Sequence, residues 1–206
     1  RILYRDILYN NDDYVTSLLT FSEYQHQFKM KKTSLTSGVV YTSLMGRAYS
    51  YGGELKGENI SLYTQFDQVL GKLNISTGAR YEYFTMDSII VGKPVFRGGL
   101  NFEIVKGLNL RTSYGQGFRF PSMAELYMEG EIGGVQLFNN PNLVPESGWT
   151  SEFGVKYTFK LSNWKCYVDL VGFLMEYNNM MEFTFGSWGP IVSFPNNMGW
   201  GFRSTN

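Results

Sequence analysis

The fold class predicted here is all-β: part of an antiparallel, up-and-down transmembrane β-barrel, about eight or nine strands of a larger wall. Three observations predict it. Apolar and polar residues alternate along the chain, several such segments reach ten residues or more, and the connections between them alternate between short and long.

In chain order, residues 1–10 read as the end of one strand, and 14–29, 34–49 and 58–70 as three further strands with imperfect alternation. The pattern is clean at 73–83, where odd positions are apolar, aromatic or Thr and even positions are small, polar or charged. A strand puts successive side chains on opposite faces, so this segment has one greasy face and one wet face. In 95–104, Phe96, Leu100, Phe102 and Ile104 oppose Arg97, Asn101 and Glu103. In 108–118, Leu108, Leu110 and Tyr114 oppose Asn109, Arg111, Ser113 and Gly115. In 151–161, Phe153, Val155, Tyr157 and Phe159 oppose Glu152, Lys156 and Lys160. The last strand, 164–177, carries Trp164, Cys166, Val168, Leu170 and Leu174 on one face, but also Tyr167, Val171 and Phe173 on the other. Soluble strands average ~5–6 residues, whereas tilted membrane strands need about 9–11.

Short turns are expected at Lys31-Lys32, Gly71-Lys72, Lys106-Gly107 and 161–163. Longer connections are expected around Gly52-Gly53-Glu54, from Asp87 to Lys93, over 119–147 and after 177. Outer-membrane barrels sort their connections in this way, with short periplasmic turns and long external loops. A soluble sandwich has no reason to do so. By this parity strand 164–177 runs outward, and no later complete strand is evident before Asn206, so an open piece of wall is expected. The chain begins Arg1-Ile2-Leu3-Tyr4, without Met or a leader, which also reads as an internal fragment.

Composition excludes several function classes. Formal net charge is zero, which gives no pull toward nucleic acid. Charged residues are only 17%, while aromatics reach 17%, a balance suited to a surface with apolar and wet ends. Cys166 is the single cysteine, so no internal disulfide forms, and His26 is the single histidine, so no His-based metal site forms. One histidine also leaves no Ser/His/Asp set, and enzymatic catalysis is not expected. The longest apolar run, 170–175, is far short of the roughly 20 residues a spanning helix needs. Gly115-Gln116-Gly117 lacks the third glycine and the βαβ unit of a dinucleotide site.

The string Gly-Gln-Gly-Phe-Arg-Phe-Pro-Ser at 115–122, followed by Glu125-Leu126-Tyr127, resembles the barrel signature of TonB-dependent receptors. So does Asn-Pro-Asn-Leu-Val-Pro-Glu-Ser at 140–147, with the paired segments 61–65 and 73–81 upstream in matching order. The flavour is similar to receptors of Bacteroidota. The resemblance runs from about residue 35 to the end. It implies a 22-strand barrel closed by an N-terminal plug, in the outer membrane of a Gram-negative cell. Such receptors import a scarce nutrient with energy relayed by TonB. Residues 1–206 are then one part of the barrel, with the plug and the remaining strands outside it. The implied partners are outer-membrane lipid, the receptor's own plug, the TonB complex, and a small-molecule or oligosaccharide ligand.

The resemblance also nominates site residues. Arg119 and Glu146 match motif positions facing the lumen or its mouth, where wall charges pair with the plug; the plain alternative is that they are solvated or pair with each other. Gly115 and Gly117, on the wet face, would let plug or loop backbone approach closely. Pro121, Pro141 and Pro145 fix φ and remove a donor, so they shape a folded loop. Within that loop, Ser122 and Glu125 have capping-box spacing for a short helical turn. Tyr127, Phe138 and Trp188 are ligand-contact candidates on external loops, weighed against packing between loops or an interfacial girdle. Two rival architectures remain at this point: a soluble β-sandwich ligand-binding module and a passive porin. In the sandwich, Ile75, Ala79, Phe102, Leu110, Val155 and Leu170 pack under a second sheet; in a barrel they form one lipid-facing band.

Overall fold

The computed structural model describes residues 2–8, 14–132, 134–187 and 198–205. Nine strands form one sheet in which each pairs antiparallel with the next. They are β1 (Ile2–Leu8), β2 (Tyr14–Lys29), β3 (Thr33–Ala48), β4 (Gly53–Leu70), β5 (Leu73–Met86), β6 (Ile89–Val105), β7 (Leu108–Arg119), β10 (Glu146–Leu161) and β11 (Trp164–Asn178). Between β7 and β10 the chain leaves the wall to form α1 (Met123–Tyr127), β8 (Gly130–Ile132) and β9 (Val135–Phe138). After β11 it forms β12 (Met180–Ser187) and β13 (Met198–Thr205), which join β9 and β8 in a separate four-stranded sheet.

Register shows why the alternation matters. Residues directly opposite in a sheet share a face. Leu70, Leu73, Phe102, Leu110, Val155 and Leu170 stand opposite one another in sequence across β4, β5, β6, β7, β10 and β11. Six strands thus give one unbroken apolar row. Further members of that face are open to the surroundings, including Tyr24, Leu62, Phe96, Phe153 and Trp164. No second sheet lies over this face among the described residues, so the sandwich is set aside. The opposite face carries Asn74, Ser76, Arg80 and Glu82 on β5, and Arg111, Ser113 and Gly115 on β7. This is the lumen side.

Wall strands from β2 onward are 12 to 18 residues long, more than the ~9–11 that cross a bilayer. The surplus corrects three sequence expectations, the first being the longer connection around Gly52-Gly53-Glu54. β4 already begins at Gly53, and only a short 3-10 turn, Tyr49–Tyr51, with Gly52 joins it to β3. The connection expected at Asp87 to Lys93 is a two-residue turn at Asp87-Ser88, with Asp87 at φ 51, because Ile89–Lys93 continue β6. Ile89 and Val91 project inward there and pack under the β7–β10 loop, which gives that stretch a reason to stay in the sheet. The segment after 177 also holds two strands where none is expected. Asn179 at φ 57 turns the chain out of the wall, and Met181, Phe183 and Phe185 then alternate along β12.

Beyond a bulge at Glu103–Val105, the β6–β7 ladder opens toward the mouth. β6 and β7 pair from Val105/Leu108 to Arg97/Gly115 and no further, although β6 continues pairing with β5 to Ile89 and β7 with β10 to Arg119. Phe96 N–H, facing β7, is taken by the Gln116 side-chain carbonyl at 3.1 Å instead of by backbone. Two residues on, along the same edge, stands Pro94, which has no N–H to offer.

An arginine replacing Leu110, within the apolar row, is expected to destabilise the full-length receptor by about 2–4 kcal/mol if it lies near the bilayer midplane. Ser113→Arg, on the polar lumen face of the same strand, should cost markedly less than the lipid-facing change. Urea unfolding of receptor refolded into vesicles checks the pair; equal costs would contradict the assignment of faces.

Candidate functional site

The lumen side is built by a repeated device. Where a long polar side chain faces a glycine on the adjacent strand, it lies flat across that glycine and reaches the strand beyond. Tyr63 crosses Gly38 and donates its hydroxyl to Glu23 at 2.7 Å. Arg97 crosses Gly78 and donates to the Gln65 side-chain carbonyl. Arg111 crosses Gly154 to hold Asp169 through two bonds of 3.0 and 3.1 Å. A Cβ on Gly78 would stand 3.0 Å from Arg97 Nε, and one on Gly154 would stand 2.8 Å from Arg111 Nε. The small residues are therefore clearance for cross-wall contacts. Arg80 adds a contact along its own strand to Glu82, which also accepts from Asn59 at 2.9 Å.

The mouth is built around Arg119. This last residue of β7 faces Glu146, the first of β10, and their side chains meet at 2.7 Å. Arg119 also reaches Glu125 in α1 at 2.9 Å. Glu125 closes the capping box with Ser122, accepting the Ser122 N–H at 2.7 Å while its own N–H donates to Ser122 Oγ at 3.3 Å. The second Glu146 oxygen accepts Met181 N–H at 2.6 Å, which fixes the start of β12. One guanidinium thus ties together the wall, the loop helix and the second sheet.

Beneath that tie lies the largest apolar cluster. Met86, Phe120, Met123, Leu126 and Leu143 are buried, with Leu44, Leu55, Phe84, Ile89 and Val91 of the inner wall packed against them. Phe120 stacks on Phe84 with centroids 5.2 Å apart. The β7–β10 loop consequently folds inward over the lumen. Asn140 extends the contact, donating its side-chain amide to Phe202 carbonyl at 2.9 Å.

The sequence-nominated residues distribute as follows. Register puts Gly115, Gly117, Arg119 and Glu146 on the lumen face, and a Cβ at either glycine would meet nothing within 4 Å. Arg119 and Glu146 pair with each other. Tyr127 is half-buried against the mouth cluster, and burial, aided by the nearby Asp87 carboxylate, pushes its hydroxyl pKa up. Phe138 is buried at 6% exposure in β9 beside β13. Both therefore pack between loop elements, the alternative already weighed for them. Trp188 lies outside the described residues. The crossings over Gly78 and Gly154 escape sequence reading because they depend on inter-strand register, and Glu125 as a partner of Arg119 escapes it because the loop must first fold inward.

Burial pushes the Glu125 carboxyl up, but the Arg119 guanidinium and the bonds from Ser122 outweigh it, so its pKa lies below the usual carboxylate range. A lowered folded pKa gives stability that is full above the unfolded value and is lost as pH falls through the folded one. Hydrogen-exchange protection over 120–145 in the full-length receptor should therefore be full above the ordinary carboxylate range and decline progressively as pH falls through that range toward the lowered value. Arg119→Ala leaves the carboxyl of Glu125, 13% exposed, without its cation and should cost the loop about 1–3 kcal/mol. At neutral pH its protection should drop below the parent's, and acidification should then cost it less than the parent, while the wall ladder stays protected. Unchanged protection at neutral pH would contradict the anchoring role.

The fold is similar to that of the siderophore receptor PirA from Pseudomonas aeruginosa, with TM-score 0.77 and 14% identity over 94% of this chain and 38% of that one. It is also similar to a double mutant of the Serratia marcescens hemophore receptor HasR in complex with its hemophore HasA and heme. There the TM-score is 0.73, with 14% identity over 93% of this chain and 38% of that one. The copper transporter OprC gives 0.71 and 12%, over 93% and 33%. This chain spans little more than a third of those structures, and at such identities the likeness shows fold alone. Among curated protein sequences none matches. Residues 3–199 match the family model described as TonB dependent receptor-like, beta-barrel, and the chain therefore belongs to the β-barrel wall of the TonB-dependent receptors of the Gram-negative outer membrane.

Proposed function

We propose that this chain is part of a receptor that binds a scarce nutrient outside the cell and imports it with energy relayed by TonB. The observation that carries this reading is the loop folded into the mouth and anchored through Arg119 to Glu125 and Glu146. A passive porin works with an open lumen, whereas a gated importer needs a mouth held in defined shape. In this reading the receptor's own plug fills the lumen, and its backbone approaches the wall where Gly115 and Gly117 leave space. Arg119 and Glu146 face it from the rim together with Glu125, one guanidinium between two carboxylates, so they position the mouth as well as meeting the plug. Tyr127 and Phe138 shape the mouth that the cargo meets, Tyr127 from its half-buried place on the cluster and Phe138 from β9. Enzymatic chemistry has no role in this cycle.

Uptake assays in the parent bacterium test the proposal. Cells carrying only this receptor are offered single ferric siderophores, haem, cobalamin or oligosaccharides, with and without an intact TonB system. Saturable uptake of one cargo class that is abolished by loss of TonB is expected. Uptake that rises linearly with concentration and persists without TonB would establish the porin reading instead.

A further inference from the structure

Β5, β6 and β7 carry four arginines, and three of them hold carboxylates: Arg80 holds Glu82, Arg111 holds Asp169, and Arg119 holds Glu125 and Glu146. Arg97 differs. Among the described residues its side-chain partner is the neutral carbonyl of Gln65, which uses little of a planar five-donor group. Its surroundings are built to keep it in place. Gly78 opposite leaves the clearance in which the guanidinium lies, and Gly115 on the other flank leaves open space. Gln65 is itself held by Asp67, to which its amide donates at 3.0 and 3.1 Å, and Ser76 steadies that carboxylate at 2.6 Å.

Arg97 lines a lumen cavity of about 440 Å³ at the foot of the β6–β7 opening. Val95 and Phe118 give this cavity an apolar side, and Gln116 gives it a polar edge. Two carboxylates also line it: Glu82, occupied by Arg80 and Asn59, and Glu23, occupied by the Tyr63 hydroxyl. Their charges repel a polyanion. A single carboxylate on a flat apolar body meets less of this repulsion, which Arg80 beside Glu82 already offsets in part. It can take the guanidinium through paired N–H donors while its body lies against Phe118.

We propose that this cavity is a monocarboxylate-binding site centred on Arg97. The carboxylate has two possible sources, a small molecule entering the lumen or an acidic side chain of the receptor's own plug. The second source rests on the uptake reading above; the first does not.

The test uses the full-length receptor in detergent, with benzoate as probe and citrate as the polyanion control, read by calorimetry. A small-molecule site predicts that benzoate binds, that citrate binds at least tenfold more weakly, and that Arg97→Gln weakens benzoate at least tenfold. Gly78→Ala, whose Cβ intrudes on Nε, should reproduce that loss in a barrel that still migrates as folded. If the plug supplies the carboxylate, the parent receptor binds no benzoate. Arg97→Gln and Gly78→Ala then loosen the plug and sensitise cells to vancomycin, while Arg97→Lys restores part of the barrier. Parent receptor that ignores benzoate, together with variants that leave the barrier intact, would overturn the proposal. So would benzoate binding that Arg97→Gln leaves unchanged. Loss of TonB dependence in uptake would remove the transport reading without altering the benzoate result.

Discussion

A strand in hydrocarbon has no water to satisfy its backbone, so each N–H and C=O must be met by a neighbouring strand. That constraint explains why the wall is a nearest-neighbour sheet from β1 to β7 and on through β10 and β11. Once pairing is obligatory, side-chain parity follows. A single slip of register would exchange the apolar row from Leu70 to Leu170 with the row bearing Arg80 and Arg111. The opening between β6 and β7 above Arg97 and Gly115 is handled locally: Gln116 covers one donor, and Pro94 removes another.

The wet face obeys a different rule. Side chains standing straight out from it would fill the lumen, and charges left alone would be costly once another element fills that space. Laying them flat over glycines solves both problems. Each crossing spans three strands, so Tyr63, Arg97 and Arg111 also add side-chain links parallel to the backbone ladder. The glycines of this face are consequently as specific as the arginines they admit. The same clearance leaves the cavity beside Arg97, so an arrangement that thins the wall also makes room for an occupant.

Much of this was legible from residue order alone. Alternation places β2 at 14–29 and separates the faces of β5, β6, β7 and β10, because the period of two is a property of one strand. The capping box of α1 was legible for the same reason, since Ser122 and Glu125 lie three residues apart. What was hidden depends on distant partners. Ile89–Lys93 has no polar alternation to mark it as strand, and it belongs to β6 because the mouth cluster covers its inner face. β12 and β13 were hidden because their hairpin pairs outside the wall. The partnership of Arg119 with Glu125 required knowing that the loop folds inward instead of away.

Arg119 then connects the two regimes. It is the last residue of a wall strand, placed by backbone pairing, yet its side chain serves the loop. Glu146 is bound to the same wall by its own pairing and carries the β12 backbone on its other oxygen. Moving the loop outward would break the Arg119–Glu125 contact and expose the apolar face of Met123 and Leu126. Moving β12 would break the Met181–Glu146 contact and disturb Phe202 beside the same cluster. Neither segment moves without disturbing contacts the other shares, and both are held by charge-assisted bonds at the rim, where the strands have already left the lipid. A mouth joined in this way is fixed to the wall at the ends of β7 and β10, apart from the lipid-facing rows.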